Sequence, residues 1–288
     1  MLSLSTARDW DIASAGSLSG RILGLYERLR AQRDLAPSAV VDALFADLVS
    51  ACLHTDAGEV ASALSDPRIG GVRSELIRLC AQGESLLEQA WARRVLAAAD
   101  PDAETAAFPY LRNYEELARL EVHALAGAGH PPGSTRRLCF VGGGPLPLSA
   151  ILLCRALGAE ATVVDRDREA VELSRRLVDR LVPAHRISVL LADAASPADM
   201  APAVAGCDVV VVAALVGTTQ AQKRAALRAV ALSVEPGTHV VIRSADGLRS
   251  LLYPVVDTGD VHDAGLVPEL LLHPLGEVIN SVLVARRR

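Results

Sequence analysis

Aromatic side chains make up only 3% of the 288 residues, although 51% of the chain is apolar. The apolar content is mostly Ala, Val and Leu, enough to bury a substantial core in one large domain or two ordinary ones. No run of eighteen or more uncharged apolar residues occurs, which argues against a membrane span. The first residues, MLSLSTARDWDIAS, have no basic flank leading into an apolar stretch and are not expected to act as a signal peptide. Basic residues are not in excess: 29 Lys and Arg stand against 34 Asp and Glu, a formal net charge of -5. That leaves no electrostatic footprint for nucleic acid, and the closing ARRR reads as a solvated tail. No CxxC pair exists. Cys52, Cys80, Cys139, Cys154 and Cys207 are scattered through apolar segments and are expected to be buried free thiols in a reducing cytosol, not disulfides or metal ligands. Repeats and low-complexity segments are also lacking.

What the chain does have is two halves of different period. Up to about Ala128 the spacing is helical: SAVVDALFADLVSACL and ESLLEQAWARRVLAAA carry apolar residues three and four apart. Asp100-Pro101 should stop the second of these. NYEELARLEVHALAGAG reads as a further helix, with Asn113 as its N-cap and glycines at its close. After GAGHPPGSTRR, short buried strands alternate with helices: RLCFVGGG, PLSAILLCRALG, ATVVDRD, REAVELSRRLVDRL, RISVLLADA, CDVVVVAAL, TQAQKRAALRAVALSV and THVVIRSA. This alternation predicts a parallel sheet with helices on both faces. The tail breaks the rhythm, since LVPELLLHP and EVINSVLVARR are joined through Leu275-Gly276 with no helix between them. A hairpin added to the sheet edge is expected.

The stretch FVGGGPLPLSAILL, Phe140 to Leu153, carries the first chemistry. In a dinucleotide loop, G-x-G-x-x-G, the pyrophosphate rests on free N–H groups at a helix N-terminus. Gly142, Gly143 and Gly144 supply the tight turn, but Pro147 stands in the third glycine's place. Pro145 and Pro147 each remove a donor where a phosphate would need one, while Pro147 suits the first turn of a helix. The loop favours a nucleoside without phosphates, with S-adenosylmethionine as the candidate. Asp165, ending the second strand, is placed to accept from a ribose diol. Asp193, ending the third, is placed beside the adenine. Either acid alone reads equally as a helix N-cap; both beside such a loop favour the nucleoside.

The same stretch resembles the FVG-x-GPLP segment of the nicotianamine synthase family. FPYLRNYEELARLE, VVAALVGTTQAQKRAAL, VIRSADGLRSLLYPVVD and EVINSVLVARR agree with that family in the same order, from about Cys80 to the C-terminus. The resemblance implies a helical lid and substrate domain over residues 1–128 and a methyltransferase-like Rossmann domain, with its edge hairpin, over 129–288. It also implies transfer of the 3-amino-3-carboxypropyl arm of S-adenosylmethionine, not its methyl group, with release of methylthioadenosine. S-adenosylmethionine is then a substrate, and no other cofactor is expected. The implied partners are small molecules, with no nucleic acid and no membrane, and the product is a metal chelator or its precursor. Some bacterial relatives make one transfer onto histidine instead of the three that build nicotianamine.

A sulfonium is already a good leaving group, so the demands fall on orientation and on the nucleophile. The arm's methylene is more hindered than the methyl carbon and must be held in line with the amine. That amine is mainly protonated at neutral pH and must lose a proton first. By the resemblance, LLEQAW carries the catalytic glutamate, Glu88, and an apolar enclosure would raise its proton affinity. The alternative is a surface acid paired with Arg93 or Arg94. Glu84, four residues earlier on the same face, is the second choice of base. Tyr114 matches the family's active-site tyrosine, against a packing role for a tyrosine at a helix start. Tyr110 and Arg112 are adjacent substrate-binding candidates, and Arg112 or Arg243 suits bidentate capture of a carboxylate. Glu121 is the family's acid at the end of this helix, with a buried structural pair as the alternative. Leu215 and Val216, after the fourth strand, are expected to line the nucleoside pocket. Asn280 is read either as a substrate contact or as a partner for a backbone group. Leu111 stands where many relatives carry a second aromatic, which points to a reshaped acceptor end.

Overall fold

The computed structural model describes residues 16–54, 56–182 and 186–288. The N-terminal stretch read for a signal peptide lies outside them. The helical half begins with α1 (Leu18–Arg30), α2 (Ala39–Cys52) and α3 (Ala57–Ser65), each started by a polar N-cap: Ser17, Ser38 and Asp56. These side chains accept from backbone N–H groups that have no partner within the helix. The next helix, α4 (Pro67–Ala97), is the longest at 31 residues, with Asp66 as cap and Pro67 in its first turn. It spans about 46 Å at 1.5 Å per residue. It ends just before Asp100-Pro101, as expected. The same dipeptide then starts a new short helix, α5 (Pro101–Ala106), because Asp100 caps it and Pro101 tolerates the first position.

The following helix, α6 (Leu111–Gly127), starts three residues earlier than predicted. Its N-cap position is Tyr110, which makes no side-chain cap. Asn113 instead donates from Nδ2 to the Glu277 carbonyl at 2.8 Å, tying α6 to the segment before the last strand.

Seven strands follow. They are β1 (Arg137–Val141), β2 (Glu160–Asp165), β3 (Ile187–Leu191), β4 (Val209–Val212), β5 (His239–Ser244), β6 (Val267–Leu272) and β7 (Ser281–Arg286). Their order in the sheet is β3-β2-β1-β4-β5-β7-β6. The first five are parallel to one another, and β7 runs antiparallel to both of its neighbours, β5 and β6, so the tail is the edge hairpin expected. The intervening helices are α7 (Leu148–Leu157), α8 (Arg168–Leu181), α9 (Pro197–Val204), α10 (Gln220–Ser233) and α11 (Thr258–Asp263), plus a 3-10 turn over Gly247–Leu251. The alternation in the sequence predicts α7, α8 and α10. It does not single out the short elements α9, α11 and the 3-10 turn. This is the doubly wound, methyltransferase-like Rossmann architecture, preceded by helices.

Period two along the strands sorts side chains to two faces. In β7, Val282 and Val284 join one core with Leu177 and Ile151, while Leu283 and Ala285 join the other with Leu227 and Val261. The first core also takes Trp91, Ala92 and Val95 from α4 and Leu117 and Leu125 from α6, so it runs across residue 128. A third core packs α1–α4 against Leu248, Leu251, Leu252 and Ile279 of the second half. Val141 and Val212 end β1 and β4 in register, and Val164, one residue before the end of β2, stands beside Val141. The sheet order reverses between β1 and β4, where open α/β sheets leave a crevice beyond the strand ends.

All five cysteines are free thiols, four buried and Cys207 half-buried. Among the described residues no helix is long and apolar enough to cross a membrane. Likewise, no cluster of three or more His, Cys, Asp or Glu that could hold a metal ion is found among them.

Candidate functional site

Beyond the carboxyl ends of β1, β2 and β4 lies a cavity of about 450 Å³, walled on the opposite side by α4 and α6. Each glycine of the loop after β1 is required for a different contact. Gly142 has φ +86°, and a Cβ there would fall 2.4 Å from Val216 Cγ2. A Cβ on Gly143 would fall 2.1 Å from Val163 Cγ1. Gly144 has φ +64°, and its absent Cβ leaves the space taken by Glu88 Oε2, 2.5 Å from where that Cβ would be. The backbone thus lies against β2, against the segment after β4 and against α4 at once.

The loop's donors are already engaged. Gly142 and Gly143 N–H both donate to the Val164 carbonyl, at 2.7 and 3.1 Å. Gly144 N–H donates to Asp165 Oδ2 at 2.8 Å. Pro145 and Pro147 have none to give, and Pro147 occupies the N-cap position of α7. No row of N–H groups is left to cradle a phosphate. Asp165 also accepts from Asp167 N–H through Oδ1, so it is fixed by two backbone donors and keeps lone pairs for a ligand. Asp193, exposed at the cavity's edge, accepts from Ala195 N–H. Leu215 and Val216 line the same cavity.

The segment carrying those two residues is held from an unforeseen quarter. Lys223, in the first turn of α10, is wholly buried. Its Nζ donates to the Ala213 carbonyl at 3.2 Å and to the Ala214 carbonyl at 2.6 Å. Burial without a carboxylate partner lowers its affinity for a proton, to a pKa of about 7.

On the helical wall, Glu88 is 9% exposed and pairs with neither Arg93 nor Arg94. Those two bind Glu169 and Glu104 instead. Tyr114 Oη donates to Glu88 Oε1 at 2.9 Å, which brings together the two residues singled out for catalysis. Burial first, then the nearby Glu84 carboxylate, pushes the Glu88 pKa well above the ordinary value; the Tyr114 hydrogen bond pulls the other way. Glu84 sits one turn away with its own tyrosine, Tyr253, whose Oη donates to Oε2 at 2.8 Å. Its pKa is also raised, mainly by burial. Tyr253, in SLLYPVVD, was not foreseen. Nothing in its local spacing distinguishes it from a packing tyrosine, and only the fold of the segment after β5 brings it to α4.

Arg243 on β5 reaches the cavity, but its fork is engaged. Nε and Nη2 donate to Glu121 Oε1 and Oε2 at 2.8 and 3.0 Å, and Nη1 donates to Ser149 Oγ. Glu121 is 0% exposed. The bidentate clamp expected for a substrate carboxylate is therefore made inside the protein, joining α6 to β5. Arg112 does not reach the cavity. It is two residues from Tyr114, hence on the opposite side of α6, and lies on the surface with Glu116. Tyr110 is outside the lining as well, packed edge-on against Phe108 at 5.9 Å between ring centres. Phe108 meets Tyr114 in the same way at 5.8 Å, so the aromatic group supports Tyr114 from behind. Leu111 packs against the sheet core and is not in the cavity lining. Asn280 lines the cavity and is only 7% exposed, yet its Nδ2 has no hydrogen-bond partner.

The comparisons with known proteins agree with one another. The family model described as "Nicotianamine synthase protein" matches residues 14–288. Nicotianamine synthase 1 of Oryza sativa subsp. indica is 38% identical over 277 residues, covering 94% of this chain and 81% of that protein. Nicotianamine synthase 2 of Arabidopsis thaliana is 34% identical over 273 residues, covering 93% and 82%. Among solved structures, a Glu-to-Gln variant of MtNAS in complex with S-adenosylmethionine matches with a TM-score of 0.77 at 25% identity, over 94% of this chain and 98% of that one. MtNAS in complex with MTA and tNA shares the fold at a TM-score of 0.79 and 24% identity, over 93% and 97%. The chain belongs to the nicotianamine synthase family.

Proposed function

We propose that this protein is an S-adenosylmethionine-dependent 3-amino-3-carboxypropyltransferase that releases methylthioadenosine and makes nicotianamine or a closely related metal-chelating product. One observation carries the reading beyond family membership: an acid–phenol pair stands directly on the nucleoside loop. Glu88 Oε2 fills the space that the missing Gly144 Cβ leaves, while Tyr114 Oη holds Oε1. A proton acceptor so close to the turn after β1 serves an amine that attacks the sulfonium substituent lying along that turn.

In the proposed reaction, Asp165 accepts from the ribose hydroxyls, and Val216 and Leu215 bound the base. Asp193 stands at the cavity's outer edge beside it. The amine nitrogen, freed of its proton by Glu88, gives its lone pair to the methylene next to sulfur. The C–S bond breaks with its electrons going to sulfur, and the positive sulfonium becomes a neutral thioether. Charge is lost at sulfur as it appears on the new ammonium. Tyr114 fixes the rotamer of Glu88 and keeps one carboxylate oxygen free for the proton.

The test is to incubate the pure protein with S-adenosylmethionine alone. Methylthioadenosine together with a product of nicotianamine mass is expected. Turnover only after another amine such as histidine is added would identify a single transfer onto that acceptor. Release of S-adenosylhomocysteine would overturn the assignment of the transferred group.

A further inference from the structure

One helical turn from Glu88 the wall of α4 repeats itself. Glu84 and Glu88 lie four residues apart, both open to the cavity, and each takes one hydrogen bond from a tyrosine: Tyr253 to Glu84 and Tyr114 to Glu88. In each pair the second carboxylate oxygen, Glu84 Oε1 or Glu88 Oε2, has no hydrogen-bond partner among the described residues. Arg243, the cation nearest to both, has its fork committed to Glu121. This wall therefore calls for positive charge from a ligand, at two points instead of one. In the same cavity, Asn280 Nδ2 is a buried donor with no partner, which calls for an acceptor oxygen.

The spacing of the two acids matches the chemistry of the transfer. Side chains at i and i+4 on a helix stand about 5–6 Å apart at their Cβ atoms. When an amine attacks the methylene beside sulfur, the arm's own amino group sits on the third carbon from the attacking nitrogen. Two nitrogens joined by three carbons lie about 5 Å apart in an extended chain, from standard bond lengths. With the attacking nitrogen at Glu88, the arm's ammonium falls one turn along α4. We propose that Glu84 and Tyr253 form the station for the ammonium group of the transferred arm, with Asn280 Nδ2 donating to the carboxylate on the same carbon. This station is the device that turns the arm, and not the methyl group, toward the nucleophile. Glu84 is then a donor-positioning residue rather than a second base. Its second oxygen accepts from the ammonium while Tyr253 holds the first, and anchoring the far end of a three-carbon arm aligns its near end for in-line attack.

The inference rests on the proposed aminocarboxypropyl transfer, and the experiment separates the two. Initial rates are measured with S-adenosylmethionine and with its deaminated analogue, which bears a carboxypropyl arm. Each is given the same saturating amino-acid acceptor, because the analogue has no amine of its own. Methylthioadenosine is scored separately from the demethylated product, S-adenosylhomocysteine or its deaminated counterpart. If the wild type forms S-adenosylhomocysteine from S-adenosylmethionine, the proposed function itself fails. If it forms methylthioadenosine, the proposal expects at least a tenfold preference in kcat/KM for the donor carrying the amino group. Glu84→Gln should cut that preference to below threefold and raise the S-adenosylhomocysteine fraction. Glu88→Gln should slow both donors together and leave the preference in place. Tyr253→Phe, which keeps the ring, should lower the preference partway and reads the same quantity if Glu84→Gln does not fold. A wild type without the preference, or a preference unchanged in folded Glu84→Gln or Tyr253→Phe, overturns the proposal.

Discussion

Glu88 is the residue where stability and chemistry pull apart. Burial and the neighbouring Glu84 raise its pKa, so the folded protein favours the protonated acid more than the unfolded chain does. The sign follows directly. Below the ordinary carboxylate range the group is protonated in both states and adds no penalty. As pH rises from that range through the raised value, the folded state loses stability relative to a chain lacking the acid. Glu88→Gln should therefore melt about 2–4 °C higher than wild type near pH 8, with the gap closing toward pH 4. The same variant should lose about 10²–10⁴-fold in kcat, the usual contribution of a positioned base. Parallel melting curves and initial rates across pH check both halves, and a variant with wild-type kcat would remove Glu88 from the mechanism. At this scale the sequence was partly legible. The glycines and Asp165 could be read because a backbone turn and a strand end fix where they stand, whereas Tyr114 was reached through the family resemblance. Arg112 could not be placed: adjacency in sequence suggested adjacency in space, whereas residues two apart on a helix face opposite sides. Tyr110 stands at the N-cap of α6, one turn before Tyr114, and its ring packs on Phe108 outside the lining.

Among elements, the alternation of strands and helices after residue 133 was readable because the central strands β1, β4 and β5 are buried on both faces, giving short unbroken apolar runs between helical periods. Short segments without a full period, such as α9, α11 and the 3-10 turn, left no such trace. Lys223 shows a second reason for illegibility. In TQAQKRAAL it looks like an ordinary solvated lysine, and only the packing of α10 against the end of β4 buries it. There Nζ holds the carbonyls of Ala213 and Ala214, fixing the segment that places Val216 over Gly142. Its pKa, lowered from 10.5 to about 7, has the opposite sign of linkage to Glu88. The folded state favours the neutral amine, so stability is greatest above pH 10.5 and declines as pH falls toward 7. Lys223→Met should abolish that decline. It should also weaken S-adenosylmethionine binding about tenfold, since the freed carbonyls no longer fix the loop. Calorimetric titration gives the Kd and thermal melts between pH 7 and 10 give the slope. Unchanged affinity would reduce Lys223 to a packing residue.

The whole molecule divides in pattern near residue 128, but its packing does not divide there. Trp91, Val95, Leu117 and Leu125, all before that point, share a core with Phe140, Val211 and Val284 after it. Conversely, Leu248, Leu251 and Ile279 complete the core of α1–α4. Sequence period reports which face of each element is apolar; it carries no record of which distant element covers that face, so the interleaving was invisible. Its consequence is cooperativity. If α4 belongs to two cores at once, neither half can lose its packing without exposing the apolar face of the other. At about 25 cal/mol per Å² of apolar surface, exposing even a few core side chains consumes much of the roughly 5–15 kcal/mol that holds a fold together. Unfolding should therefore be a single transition despite a length at which chains often separate into domains. Trp91, edge-on to Phe108 at 5.4 Å, reports the shared core, and replacing Trp10 by Phe makes it the sole tryptophan. Urea titrations followed by Trp91 fluorescence and by far-ultraviolet circular dichroism should give coincident midpoints. An early loss of helix with the fluorescence unchanged would show the first three helices unfolding alone, and the wall that carries Glu84 and Glu88 would then stand without their support.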